Sequence, residues 1–223
     1  MLDPAAATTT PGKAFPPPAG TLDITTVTLP AGQVLHRVHE SRFDPLSFNP
    51  GFGRARFSPI RNASGTFIPT IYAGTTIPCA LLESVFHDVP YAAGYKPFPR
   101  AKLRLQVHSE LGTLAPLTLV DLGTIALRKL GIPRKQLIDT ESSEYEVTQC
   151  WAAAFHAQEP AIQGIRWTSR QDDSATAVIL FGDRIAAGAL RQLALPRELD
   201  TVAYPDVLYT ASAIGVSIVD ARL

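Results

Sequence analysis

Apolar and polar positions alternate along several short stretches of this chain and recur at helical spacing along a few others, which predicts a mixed fold. Thr21 to Leu29 reads as a strand with Leu22, Ile24, Val27 and Leu29 as packing positions, and Pro30, Ala31 and Gly32 turn it into a second strand over Val34 to His39. Ile68 to Ala73 reads as a third. Thr75 or Thr76 then has the chemistry of a helix N-cap, and Pro78 suits the first turn of a helix running to about His87. Ala80, Leu81, Val85 and Phe86 supply its apolar face, with Glu83 near one edge.

Further along, Val89 to Arg100 is punctuated by prolines and Gly94, so it is expected to be irregular, with Tyr91, Tyr95 and Phe98 placed either to cover a ligand or to pack on the core. Leu103 to His108 and Pro116 to Val120 read as strands. Asp121 is placed to cap a short helix through Lys129, closed by Gly131 and Pro133. Ser143 and Glu146 have capping-box spacing ahead of a helix reaching Gln158. Val147, Cys150, Trp151, Ala154 and Phe155 form its core face, leaving His156 on the surface. GIRWTSR and AVILFGD predict a hairpin around Gln171 to Ser174. The last forty residues offer a helical piece in LRQLALPRELD and strands near Asp206 to Leu208 and Val216 to Val219. Strands outnumber helices without a regular βα alternation, so the fold class is α+β.

Composition narrows the function classes. The 223 residues carry 20 Lys plus Arg against 20 Asp plus Glu, so no global charge advertises nucleic-acid binding. Residues 1–20, rich in Ala, Thr and Pro, read as a flexible arm, leaving 21–223 as one domain. No apolar run approaches membrane-spanning length and no signal-peptide pattern opens the chain, so a cytoplasmic location is expected. Cys79 and Cys150 lie in apolar helical contexts and are expected to be buried thiols. The spacing of His36, His39 and His87 lacks a compact zinc pattern, so no metal is expected.

Candidate chemistry gathers between Leu35 and Pro90. An arginine within a strand, Arg37, loses hydration unless a partner or anionic ligand compensates it, and Glu40 or Asp44 would serve as a structural partner. Gly51 and Gly53 sit beside Arg54 and Arg56 in a loop able to approach a phosphate. Tyr72 offers an aromatic face, and Glu83 follows on the next helix.

The blocks LHRVH, GRARFSPI, IPTIYAGTT and ALLESVFHDVP, followed by GIRWTSR and AVILFGDR, resemble the RES-domain family over roughly Gln33 to Arg184. The resemblance implies an ADP-ribosyltransferase-like core of two small packed sheets with flanking helices. It further implies an NAD-degrading toxin of a bacterial toxin–antitoxin pair, with NAD as substrate, no separate cofactor, a helix-turn-helix-associated antitoxin as partner, and a possible homodimer. Breaking the nicotinamide–ribose bond builds positive charge on the sugar, which a carboxylate stabilises. On that reading Glu83 is the catalytic carboxylate, Arg37 and Arg56 clamp the pyrophosphate, Tyr72 stacks on nicotinamide or positions the ribose, and Ser169 adds a hydrogen bond from across the cleft. The family pattern places the ligand-binding arginine directly before an aromatic, which favours Arg56 over Arg54. Water as acceptor makes an NAD glycohydrolase, phosphate an NAD phosphorylase, and a protein side chain an ADP-ribosyltransferase. The alternative class is a non-catalytic nucleotide-binding or interaction domain.

Overall fold

The computed structural model describes residues 16–220. The expected arm lies mostly outside these residues; of its described end, the Pro16 carbonyl accepts from Gln136 and Trp151 at 3.4 Å.

The chain opens with β1 (Thr26–Leu29) and β2 (Val34–Glu40), then a two-residue hairpin of β3 (Ile60–Arg61) and β4 (Phe67–Ile68), and β5 (Thr70–Gly74). Helix α1 (Ile77–Leu82) begins where expected: the Thr76 hydroxyl accepts from the Cys79 amide at 3.1 Å and Pro78 occupies the first turn. It stops five residues short of His87. The Leu81 carbonyl accepts from the amides of Val85 and Phe86, which ends the helix in a tight turn and drives Phe86 into the core. Gly74 permits α1 to lie against β5, since a Cβ there would sit 2.8 Å from Cys79 Sγ.

The proline-rich segment is not wholly irregular, because β6 (Lys96–Pro99) pairs with a strand near the C-terminus. β7 (Gln106–Thr113) starts later and runs longer than the predicted Leu103 to His108, a 3-10 turn holding Arg100–Leu103. After β8 (Leu117–Asp121), α2 (Thr124–Leu130) ends on Gly131 in the left-handed region, as its stop signal requires. α3 (Arg134–Leu137) leads to α4 (Tyr145–Gln158), preceded by a 3-10 turn in place of the capping box. Its buried face is Tyr145, Thr148, Trp151, Ala152, Phe155 and His156, so Cys150 is exposed and His156 is interior, bonded to Asp183 at 2.9 Å. β9 (Gly164–Thr168) and β10 (Thr176–Phe181) form the predicted hairpin. Near the C-terminus helix and strand exchange places: LRQLALPRELD supplies β11 (Leu190–Gln192) and β12 (Arg197–Glu198), while α5 (Tyr204–Ala213) replaces the predicted strand. β13 (Val216–Val219) pairs in parallel with β6. The short strands β11 and β12 are recruited by the edge of β7, a partner that no local pattern announces.

The main sheet runs β1-β8-β9-β10-β5-β2-β7-β11, with β12 also on β7. β5 and β2 share one register pair, His36 with Gly74. The sheet therefore consists of two leaves joined at that point. Leu35 and Leu111 of one leaf meet Ile71, Val178 and Leu180 of the other in a common core, which realises the two packed sheets expected. On the far side of the leaf β1-β8-β9-β10-β5, Ile165, Trp167 and Ile179 pack beneath Trp151 and Phe155 of α4. Val38 of β2 packs instead with Leu81, Phe86 and Val207 under α1 and α5. In that leaf β10 is thus covered on both faces, which explains its unbroken apolar run.

Candidate active site

Where the two leaves meet, a cleft of about 300 Å³ opens. Tyr72, Trp167 and Ala177 form one wall, His36 and Val38 of β2 another, and Ala80, Glu83 and His87 line the side given by α1 and the turn after it. The loop before β3 delivers Arg54 to the rim and turns Arg56 inward beside Glu83. Gly51 and Gly53 in that loop both have positive φ, a conformation glycine takes without the Cβ penalty. A second cavity of about 230 Å³, lined by Tyr91, Glu141 and Arg170, shares His87 and Tyr145 with the cleft.

Glu83 sits at the C-terminus of α1 and faces the end of β9. Its Oε1 accepts the Ser169 hydroxyl at 2.6 Å and the Arg170 amide at 3.2 Å. Its Oε2 lies 3.7 Å from Arg56 Nη1, close enough for charge attraction and too long for a hydrogen bond. Among the described residues, Arg56, 7% exposed, leaves its buried Nε without a protein acceptor, as does the Trp167 indole N–H. Two unpaired buried donors on residues lining one cleft are costly unless a ligand or water satisfies them. The Arg56 guanidinium carbon also stands 5.8 Å from the Tyr145 ring centroid.

Ser169 is fully buried and its hydroxyl is saturated: it donates to Glu83 and accepts the amides of Gln171 and Asp172. It therefore holds the carboxylate from behind, and the ligand contact expected of it across the cleft has no free group to make it. Tyr72 lies in the cleft wall as expected. Its hydroxyl accepts from the Phe57 amide at 2.9 Å, tying β5 to the arginine loop, and burial pushes its pKa up to about 12. Arg54 is half exposed and reaches Glu146 at 3.9 Å, while Arg56 turns inward.

Arg37 is the residue the structure does not bring to the site. Side chains alternate along a strand, so with His36 and Val38 in the cleft, Arg37 projects to the opposite face of β2. There its guanidinium donates to the carbonyls of Pro45 and Ser47 at 2.5 and 2.9 Å. Burial lowers its pKa to about 10, with Asp44 acting in opposition. These carbonyls, rather than an anionic ligand or a paired carboxylate, satisfy the buried charge.

Trp167, Tyr145 and His36 line the cleft without having been singled out in the sequence as site residues. Trp167 and His36 each neighbour a motif residue, but which face they occupy depends on the register of their strands. His36, His108 and Glu110 bring ligand-type atoms within 4.8 Å of one another, an arrangement invisible to local spacing because two strands contribute. Cys79 is buried, and burial followed by the Glu83 charge pushes its thiol up to about 12, so it is no nucleophile at neutral pH.

A two-leaved sheet with a cleft at its junction is a mixed α/β fold that recurs among solved structures. One chain of the M. tuberculosis MbcT–MbcA toxin–antitoxin complex superposes with a TM-score of 0.56 at 16% identity, covering 80% of this chain and 90% of that one. The family model described as RES domain matches residues 34–201, and the chain belongs to the RES-domain family. A search of curated proteins finds no match.

Proposed function

We propose that this protein is the toxin of a toxin–antitoxin pair and consumes NAD by cleaving the nicotinamide–ribose bond. The observation that carries the reading is the convergence of Arg56, Glu83 and Ser169 beside an aromatic-walled cleft. Glu83 Oε1 is immobilised by two donors, which leaves Oε2 to face the cleft beside Arg56. A carboxylate held in that way is preorganised to oppose positive charge growing on the ribose as the C1′–N bond breaks and its electron pair leaves with neutral nicotinamide. Arg56, buried and with an unpaired Nε, is suited to a phosphate oxygen of the same dinucleotide. The adjoining cavity extends the cleft in the manner an elongated dinucleotide needs.

An incoming oxygen nucleophile then bonds C1′ and releases its proton. Water yields ADP-ribose and phosphate yields its phosphorylated form. The antitoxin, a helix-turn-helix-associated protein on the family pattern, would act by blocking access to this cleft; the toxin–antitoxin neighbour supports a partner of that kind. The site of action is the cytoplasm, where NAD is available; no helix among the described residues is long and apolar enough to cross a membrane.

The test is NAD loss by purified protein with products resolved by mass spectrometry, with and without phosphate, beside Glu83→Gln. Free nicotinamide with ADP-ribose or its phosphorylated form is expected from the parent. Glu83→Gln is expected to lose at least 100-fold in turnover, roughly the loss seen on removing one electrostatic stabiliser, with an unchanged melting curve. Normal turnover by well-folded Glu83→Gln would refute the assignment.

A further inference from the structure

Glu83, Arg56 and Ser169 leave a pair of histidines in the same region without a role. His36 on β2 stands opposite Glu110 of β7, and His108 lies two residues along the same face. His36 Nδ1 and His108 Nε2 are 3.0 Å apart. The rings are within 21° of parallel with centroids at 5.2 Å, too far for face-to-face stacking, so they meet edge to edge as an N–H···N bond requires.

With Glu110 nearby, this resembles the first three ligands of a zinc site. The residues behind it decide otherwise. Arg197 Nη2 lies 3.0 Å from His108 Nδ1, and Arg197 is itself held by Asp206 at 2.9 Å. A guanidinium has donors and no acceptor, so His108 Nδ1 must accept. The neutral His108 ring then carries its proton on Nε2, directed at His36 Nδ1, and that occupies the atom a metal would need. His36 Nδ1 is in turn an acceptor, which places the proton of neutral His36 on Nε2. Burial is the main cause lowering the pKa of both rings, His108 to about 4, so both are neutral at pH 7. Among the described residues no protein group bonds His36 Nε2, and His36 lines the cleft.

We propose that His36 is a ligand-binding residue of the cleft whose Nε2–H donates to an oxygen of the bound nucleotide, with its ring and tautomer fixed from behind by the chain Asp206–Arg197–His108. The identity of the ligand rests on the NAD reading above; the tautomer does not. A donor supplied by an uncharged ring adds direction without adding charge, complementing the buried Arg56 beside Glu83.

The experiment uses the full chain in the Glu83→Gln background, with NAD titrated calorimetrically and imidazole tautomers read by ¹⁵N NMR. His36 is expected as a single Nε2–H tautomer whose resonance moves on NAD addition. His36→Leu should weaken NAD binding roughly tenfold, the worth of one hydrogen bond of about 1.4 kcal/mol. His36→Gln, which keeps an N–H donor, should retain most of the affinity. His108→Leu should release the His36 tautomer and weaken NAD binding, and His108→Gln, whose amide can donate to Nδ1, should restore both. An Nδ1–H tautomer or a mixture in the parent overturns the relay, as does saturable zinc binding that His36→Leu abolishes. NAD binding by the parent that His36→Leu leaves unchanged overturns the ligand contact alone. A parent that binds no NAD overturns that contact together with the NAD reading.

Discussion

Three arginines with similar credentials in the sequence meet three different fates. Arg56 is buried beside Glu83 with an unpaired Nε, Arg54 lies at the rim with Glu146, and Arg37 is absorbed by the carbonyls of Pro45 and Ser47. Their substitutions are expected to separate cleanly. Arg56→Ala should weaken NAD binding more than Arg54→Ala, because a charge-assisted contact in a desolvated site outweighs one at a screened rim. Arg37→Met should instead cost about 2 kcal/mol of stability, since two buried carbonyls lose their donor, with NAD affinity per folded molecule unchanged. Paired titration calorimetry and denaturant melts check all three, and the reverse order for Arg54 and Arg56 would contradict the site geometry. Arg37 could not be told from Arg56 by residue type, because both are buried arginines in apolar settings. What separates them is which face of β2 the cleft occupies.

At the scale of elements, α1 is the piece that aims the carboxylate. It is six residues long, too short to be stable alone. It persists because Thr76 caps it, Gly74 admits it against β5, and Cys79, Leu81 and Leu82 are buried. Thr76→Ala is expected to cost about 1 kcal/mol and to lower NAD turnover as well, whereas Thr76→Ser, which keeps the capping oxygen, should restore both in thermal melts and rate assays. The cap and proline of α1 were legible in the sequence because they are local chemistry. Its end was not, because the turn that places Glu83 at the C-cap depends on Phe86 finding a pocket made by distant residues. The same reason underlies the exchange of helix and strand near the C-terminus: β11 and β12 exist because β7 presents an edge. Capping-box spacing at Ser143 likewise lost to a 3-10 turn.

For the whole molecule, burial of histidines makes stability depend on pH. His36, His39, His108 and His156 all have pKa values lowered, in each case chiefly by burial, His108 to about 4. Lowered folded-state values mean that the unfolded chain binds more protons as pH falls below the ordinary histidine value of about 6.5. Stability should therefore be full above that value and be lost progressively between about 6.5 and 4. Melting temperatures across this range should fall, and His108→Gln should flatten the profile; an unchanged profile would show that His108 does not titrate in the folded state as its burial implies.

The sequence by itself determined the mixed class of the fold, the hairpin of β9 and β10, the cap and proline of α1, and the arginine, tyrosine and glutamate that line the cleft. These follow from periodicity, turn chemistry and charge, which act between near neighbours along the chain. Tertiary structure alone decided which arginine faces the cleft, that Ser169 holds Glu83 rather than the ligand, and that His36 and His108 meet through the register of β2 and β7. Those choices depend on strand register and on the meeting of two leaves at a single pair, and a shift of one residue in the register of β2 would turn His36 out of the cleft and Arg37 into it.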